Sequence, residues 1–229
     1  MEHSISMPLY MYDKVDDDYK NQPTIFDYMN EQIDIATRYK KRFAIADASL
    51  KKYQEVYGRK VDKESIFYYT YAVLQDREYI NRYEDNLSKE MPRIPMLDGF
   101  VKYVEIGKEL AKLHINYEKP ISAEEIGVIV KMEKPEYKVS KMKFKKIGKT
   151  LFKDTILYND YITISNIPEQ AYEYVINGKS AIEWIMERYA VTVDKSSGIV
   201  DDPNTYKDSK YIFDLLLSVI GVSVKTQNL

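Results

Sequence analysis

The chain contains no cysteine in its 229 residues. That absence excludes disulfide scaffolds, thiol nucleophiles and cysteine-ligated zinc, and it fits a reducing cytoplasm. Histidine is almost as scarce, with only His3 and His114. Neither has a neighbour at metal-ligand or acid–base spacing, so a metal or catalytic role has no support. His114 is expected at a helix C-terminus, where a cation or a hydrogen bond to the last carbonyls accounts for it. No apolar run approaches the roughly 20 residues that a membrane span requires. Met1-Glu2-His3-Ser4-Ile5 also lacks the basic-then-apolar order of a signal peptide. The expectation is a soluble, cytoplasmic protein with no membrane partner.

Catalytic motifs are missing as well. Ile147-Gly148-Lys149-Thr150 has the end of a phosphate-binding loop, but the glycine needed five residues before Gly148 is Lys143. No nucleotide cradle of that type forms without it. No glycine-rich strand-to-helix turn suits a dinucleotide or S-adenosylmethionine. Asp201-Asp202-Pro203-Asn204 lacks the second proline and the aromatic of an amino-methyltransferase loop. Glu136-Tyr137-Lys138 matches half of a metal-dependent nuclease site. The nearest upstream aspartate, Asp98, belongs to the head of a predicted helix rather than a strand end. The chain is therefore expected to be non-catalytic and to hold no cofactor.

What is present is an uneven charge distribution. The net charge is −2. Between Lys131 and Lys153, however, there are nine lysines and two glutamates, a local +7 that leaves −9 for everything else. A compact basic segment on an acidic body suits a phosphate-facing surface, and the alternative is a solvated lysine-rich hairpin. Within it Lys141-Met142-Lys143-Phe144-Lys145 alternates strictly, which puts three lysines on one face of a strand and Met142 and Phe144 toward a core. Lys138, Lys141, Lys143, Lys145, Lys146 and Lys149 are the candidate phosphate contacts. Of the 22 tyrosines, Tyr68, Tyr69, Tyr71, Tyr79 and Tyr83 lie at helical spacing and suit core packing. Tyr137, inside the basic segment, is the candidate for base stacking, with plain packing as its alternative.

Periodicity predicts an α+β fold with an N-terminal helical half, a small mostly antiparallel sheet and closing helices. Residues 1–23 supply a strand-like Met7–Tyr12, an acidic loop and the Asn21-Gln22-Pro23 turn, continuing from an upstream region. Residues 24–115 form a helical subdomain. In it Ile25, Tyr28, Met29, Ile33, Ile35 and Ala36 recur at near-helical spacing, and a further helix runs from Phe43 to Tyr57 and stops at Gly58. Helices follow over Ser65–Leu74, from the cap Asp76 to Leu87, and over Asp98–Leu113. Between the last two, Met91-Pro92-Arg93-Ile94-Pro95 must be extended, because two prolines forbid helix. Residues 116–229 hold short strands at Val128–Met132, Leu151–Phe152, Thr155–Tyr158 and Tyr161–Ser165, with a turn at Tyr158–Tyr161. Ser180-Ala181-Ile182-Glu183 is a capping box opening a helix to about Tyr189, and Trp184 is expected to anchor it. Lys195–Asn204 is predicted as a loop, and Tyr206–Val219 as the final helix.

Two ordered blocks resemble a known family. Tyr69-Thr70-Tyr71-Ala72-Val73-Leu74, then Tyr79, Arg82-Tyr83, Leu87 and Pro92-Arg93-Ile94-Pro95, resemble a block downstream of the methyltransferase domain in type ISP and type IIG restriction-modification enzymes. Ile167-Pro168, Tyr172, Tyr174, Ile176, Gly178, Glu183-Trp184 and Arg188 resemble a second segment of the same C-terminal regions. Pro8-Leu9-Tyr10-Met11-Tyr12 resembles the strand ending the preceding part of those proteins, and the Asp194–Asn204 loop is most similar to the type ISP variety. The resemblance spans residues 7 to about 219. It implies the C-terminal target-recognition (specificity) domain of a bacterial enzyme whose single polypeptide also carries a nuclease, an ATP-driven translocase and an adenine-N6 methyltransferase. The implied partners are double-stranded DNA and the methyltransferase domain of the same polypeptide. S-adenosylmethionine, ATP and magnesium would be used elsewhere in that parent. The alternative is a structural coupling module that packs on the methyltransferase, with bases read by residues upstream of this chain.

Overall fold

A computed structural model describes residues 7–14, 33–34, 39–87, 89–205 and 207–229. The fold is α+β, and the chain divides into two compact units, Met1–Glu109 and Leu110–Leu229. The boundary falls inside one helix, Phe100–Ile115.

The N-terminal unit starts with an antiparallel sheet in the order β1-β3-β2, from Tyr10–Lys14, Tyr39–Phe43 and Ile33–Asp34. Tyr10 sits opposite Phe43 with ring centroids 5.0 Å apart, and Arg42 pairs with Asp13. This corrects the helical expectation at Ile33 and at Phe43: both residues are in strands, and the helix begins only at Asp47. The helical pattern expected at Ile25, Tyr28, Met29, Ile35 and Ala36 lies outside the described residues.

Helices α1 (Asp47–Tyr57), α2 (Lys63–Gln75), α3 (Arg77–Leu87) and α4 (Phe100–Ile115) complete this part of the chain. Gly58 ends α1 with φ of 97°, a left-handed conformation that any side chain would strain, and its N–H returns to the Gln54 carbonyl. Asp62 caps α2 through the Ser65 N–H, and Asp76 caps α3 through the N–H groups of Glu78 and Tyr79. The core between these helices is aromatic. Phe100 stacks on Tyr57 at 4.6 Å and on Tyr69 at 4.9 Å.

The proline-bearing crossing after α3 explains why its motif accompanies the tyrosine block. Residues 91–97 are irregular and pair with no strand among the described residues. Their main-chain groups are met by tyrosine hydroxyls instead. Tyr79 donates to the Arg93 carbonyl (3.0 Å), Tyr69 to the Pro95 carbonyl (2.7 Å) and Tyr57 to the Leu97 carbonyl (2.8 Å), while the Leu97 N–H donates back to Tyr69 (2.8 Å). Tyr69 is fully buried. Leaving any one of these main-chain groups unpaired would cost about 1–3 kcal/mol. Proline offers no N–H, so a carbonyl beside it needs a donor from outside the segment, and tyrosine supplies one from within an apolar core.

The C-terminal unit is a four-stranded antiparallel sheet in the order β4-β7-β6-β5 (Ile129–Met132, Ile162–Ser165, Thr150–Leu157, Lys143–Ile147). Ile162 and Ile164 alternate inward along β7, and join Ile156 and Tyr158 in one core. Two short pieces expected at Leu151–Phe152 and Thr155–Tyr158 are one strand, β6, that bulges against β5 between Phe144 and Lys145. After β7 come β8 (Val175–Ile176) and β9 (Lys179–Ser180), joined by Asn177 and Gly178, both at positive φ (49° and 81°). That is the Asn-Gly turn that suits strand twist. The capping box at Ser180 and Glu183 is present and opens α5 (Ala181–Arg188), and Trp184 donates from its ring N–H to the Ile176 carbonyl at 2.6 Å. Trp184 thus ties the tight hairpin to the helix.

The Lys195–Asn204 segment, expected as loop, contains β11 (Val200–Asp201) paired with β10 (Thr192–Val193) and a short 3-10 turn, Pro203–Thr205. The last helix, α6 (Tyr211–Asn228), starts later and runs nine residues beyond the expected Val219. Every residue from Ile212 to Ser223 except Asp214 is buried, as suits a helix through the middle of a core. Its buried polar groups are paired: Ser223 donates to the Val219 carbonyl, and Ser218 reaches the carbonyls of Tyr117 and Lys119 at 2.6 Å.

Candidate nucleic-acid interface

The basic segment enters the sheet along a route that pairs with side chains rather than with a strand. From Glu136 to Ser140 five consecutive carbonyls accept from groups distant in sequence. Asn159 donates to Glu136 (2.7 Å) and Lys138 (2.9 Å), the Tyr158 hydroxyl to Tyr137 (2.7 Å), Asn204 to Val139 (2.8 Å) and the Val191 N–H to Ser140 (2.8 Å). Asn204 also accepts the Val139 N–H at 2.9 Å, so its amide mimics a neighbouring strand. The Asp201-Asp202-Pro203-Asn204 sequence is therefore a clamp on the basic segment. Asn204→Ala is expected to cost about 1–3 kcal/mol in denaturant unfolding, since Val139 loses both partners. Faster amide exchange at Val139 would report the same loss, and wild-type exchange there would refute the clamp.

Beyond the clamp, Lys141 and Lys143 are exposed while Met142 is buried and Phe144 half-buried, as the alternation predicts. Strands β5 and β6 meet at a two-residue turn, Gly148-Lys149, with Gly148 at φ of 59°. Glycine first is the residue order of a hairpin turn whose twist matches the strands. The remnant of a phosphate loop at Ile147–Thr150 is thus a hairpin tip.

The lysines divide into two groups. Lys131 pairs with Glu133, Lys207 with Glu118, Lys210 with Asp214 and Lys225 with Glu125. Lys153 sits 2.8 Å from Glu183, with its ammonium near the rings of Phe144 and Tyr172. Burial alone would raise the Glu183 carboxyl, but Lys153 and the hydroxyl and N–H of Ser180 outweigh it and hold the group below its usual range. Lys153 is a structural cation. In contrast, Lys138, Lys141, Lys143, Lys145, Lys146 and Lys149 are all exposed, and among the described residues none of them has an acidic partner. Lys138 precedes the clamped Val139, Lys141 lies just before β5, and the other four lie on β5 and its turn.

Tyr137 adjoins Lys138, the first of that group. Its ring is half-buried, 5.4 Å from Phe213, with the Lys210 ammonium 5.9 Å from its centroid. The packing alternative describes its contacts. Glu136 accepts the Lys138 N–H through its side chain at 3.3 Å, a local turn bond, and no group of three His, Asp or Glu among the described residues is placed to hold a metal. His114 lies in the last turn of α4, as expected. It meets the Thr226 hydroxyl at 2.8 Å and stacks on Tyr174 at 5.0 Å, and burial lowers its pKa, which favours the neutral ring over a helix-end cation. No described helix is long and apolar enough to cross a membrane.

The carbonyl clamp could not be found from spacing, since Asn204 lies 65 residues from Val139. Its one trace in the sequence is the pair of loops, Tyr158–Tyr161 and Asp194–Asn204, rich in asparagine and aspartate.

The sequence profile of the family described as Type ISP C-terminal specificity domain matches residues 1–215. No curated protein matches the chain. Among solved structures, the chain resembles the ATP-dependent Type ISP restriction-modification enzyme LlaBIII bound to DNA, with 41% identity and a TM-score of 0.75 over 96% of this chain and 13% of that one. It resembles a nuclease-deletion mutant of the Type ISP enzyme LlaGI in complex with a DNA substrate mimic, with 46% identity and a TM-score of 0.66 over 82% of this chain and 14% of that one. It also resembles the DrdV–DNA complex, with 30% identity and a TM-score of 0.67 over 82% of this chain and 20% of that one. The chain thus spans at most about a fifth of the length of these relatives.

Proposed function

Because the chain belongs to the Type ISP C-terminal specificity domain family, we propose that it recognises a target in double-stranded DNA through the β5–β6 hairpin and the clamped segment before it. The observation that carries this reading is the set of six exposed lysines, on β5, its turn and the segment before it, that have no acidic partner among the described residues, whereas Lys131 and Lys153 on either side are paired. Uncompensated ammonium groups repel one another, and a phosphate backbone relieves that repulsion while releasing its condensed counterions. Such contacts fix register and orientation but carry no sequence information. Catalysis, and the cofactors it needs, would reside in other parts of the parent polypeptide.

The test is binding of the 229-residue chain to a random-sequence 30-base-pair duplex between 50 and 200 mM salt. Six phosphate contacts predict a log–log slope near −5, or a loss of about a thousandfold across that range. A duplex that does not bind at 50 mM salt overturns the reading.

A second reading, packing on the methyltransferase domain of the same polypeptide, is favoured by the exposed Val101, Met91 and Met96 of the N-terminal unit. It predicts that the chain alone does not bind DNA.

A further inference from the structure

The β5–β6 hairpin carries more than charge. Strand β6 pairs with β7 only at Ile156 and Leu157, and the bulge lies just before that pair. Residues 145–152 therefore form a two-stranded ribbon with no third strand beside it among the described residues. On this ribbon Ile147, Leu151 and Phe152 are 58%, 51% and 37% exposed. Nothing in the unit's core covers them, although Met142 and Phe144 on the same hairpin are packed inward.

The pleat sorts these residues by face. Lys145 lies opposite Phe152 and Ile147 opposite Thr150, while Lys146 lies opposite Leu151. Directly opposed residues share a face, and alternate residues along a strand do too. One face thus carries Lys145, Ile147, Thr150 and Phe152, and continues the outward row of Lys141 and Lys143. The other carries Lys146 and Leu151, on the side where Met142 and Phe144 meet the core.

We propose that the outward face is the base-reading surface, with Ile147 and Phe152 packing on thymine 5-methyl groups in the DNA major groove. This rests on the DNA-binding reading above. The major groove admits a two-stranded ribbon, apolar side chains distinguish thymine by its methyl, and threonine hydrogen-bonds either kind of base edge. The charge complementarity is local, because the lysine row and the two apolar residues share one face. Lysines on that row would hold the backbone on either side while the apolar pair meets the bases. Leu151, on the opposite face, takes no part in reading.

The experiment starts from the 229-residue chain and a randomised duplex pool, from which a preferred site is selected. Binding to that site and to a scrambled duplex is then measured for wild type, for Ile147→Ser with Phe152→Ser, and for Leu151→Ser, with far-UV circular dichroism confirming that each is folded. The double variant is expected to lower the selected-to-scrambled ratio by about tenfold or more, with the salt slope unchanged because every lysine remains. Uracil in place of thymine should weaken wild type by a comparable factor and leave the double variant unaffected. Leu151→Ser should match wild type. An unchanged ratio in the double variant, indifference of wild type to uracil, a selected site without thymine, or equal losses on selected and scrambled duplexes would each overturn base reading by this face. Steep salt-dependent binding with no enriched site would overturn it while leaving phosphate contact intact, whereas absence of any DNA binding would overturn both.

Discussion

Gly107→Ala is expected to destabilise the N-terminal unit by about 3 kcal/mol or more, although alanine inside a helix ordinarily gains about 1 kcal/mol over glycine. Gly107 lies in the middle of α4, where the helix runs against the main chain of α2 at Tyr68. A Cβ there would sit 1.9 Å from the Tyr68 carbonyl oxygen and 2.6 Å from its carbon. Neither atom can rotate away, since both are backbone, so the two helices must separate and uncover the aromatic core that Tyr69 and Phe100 share. Gly221→Ala in α6 is the matched comparison. Its Cβ would meet Ile121 Cδ1 at 2.8 Å and Ile126 Cγ2 at 2.9 Å, which are ends of side chains that can turn. A cost of about 1 kcal/mol is expected there. Urea unfolding followed by far-UV circular dichroism ranks the two, and Trp184 fluorescence reports the C-terminal unit separately. A Gly107→Ala chain as stable as wild type would mean that α2 and α4 do not approach this closely.

What could be read in the sequence was what depends on near neighbours. The Ser180–Glu183 box, the stop at Gly58 and the alternation from Lys141 to Lys145 are each decided within a few residues, and each is present. The family blocks also sat in plain view, but their physical meaning did not. The hydroxyls of Tyr69 and Tyr79 serve carbonyls 26 and 14 residues away, and only the folded chain shows that the tyrosines hold the proline-bearing crossing. Strand β3 escaped because Tyr39-Lys40-Lys41-Arg42-Phe43 has no apolar alternation. Its pairing comes from Asp13 and Tyr10 on a strand 29 and more residues earlier. The last helix was expected to stop at Val219, just before Gly221 and Ser223, and it continues through both. In the structure the glycine makes room for Ile121 and Ile126, and the serine bonds back to its own helix. For the candidate interface, the six lysines could be named from composition and spacing. That they lack partners, while Lys131 and Lys153 have them, required knowing where Glu133 and Glu183 lie.

Lys143→Gln, Lys145→Gln and Lys149→Gln together are expected to halve the log–log salt slope of DNA binding, from about −5.4 for six contacts to about −2.7 for three. The basis is counterion release: each ammonium that neutralises a phosphate contributes about 0.9 to the slope, and glutamine keeps length and polarity without the charge. Across 50 to 200 mM salt this changes the loss of affinity from about a thousandfold to tens of fold. The three lysines are exposed and have no acidic partner among the described residues, so their removal leaves no orphaned carboxylate and should shift stability by less than about 0.5 kcal/mol. Lys153→Gln provides the contrast. It removes the ammonium partner of Glu183, which keeps its bonds from Ser180, and loses the rings of Phe144 and Tyr172, so it should weaken the fold while leaving the slope nearly intact. The dissociation of the two readouts is the test. A triple variant with the wild-type slope would remove the hairpin from the DNA interface, whereas a Lys153 variant that lost slope without losing stability would show that the paired lysine contacts phosphate after all. Because lysines on this ribbon track the backbone rather than the bases, the triple variant should lose affinity for every duplex by nearly the same factor, and its preference among sequences should survive.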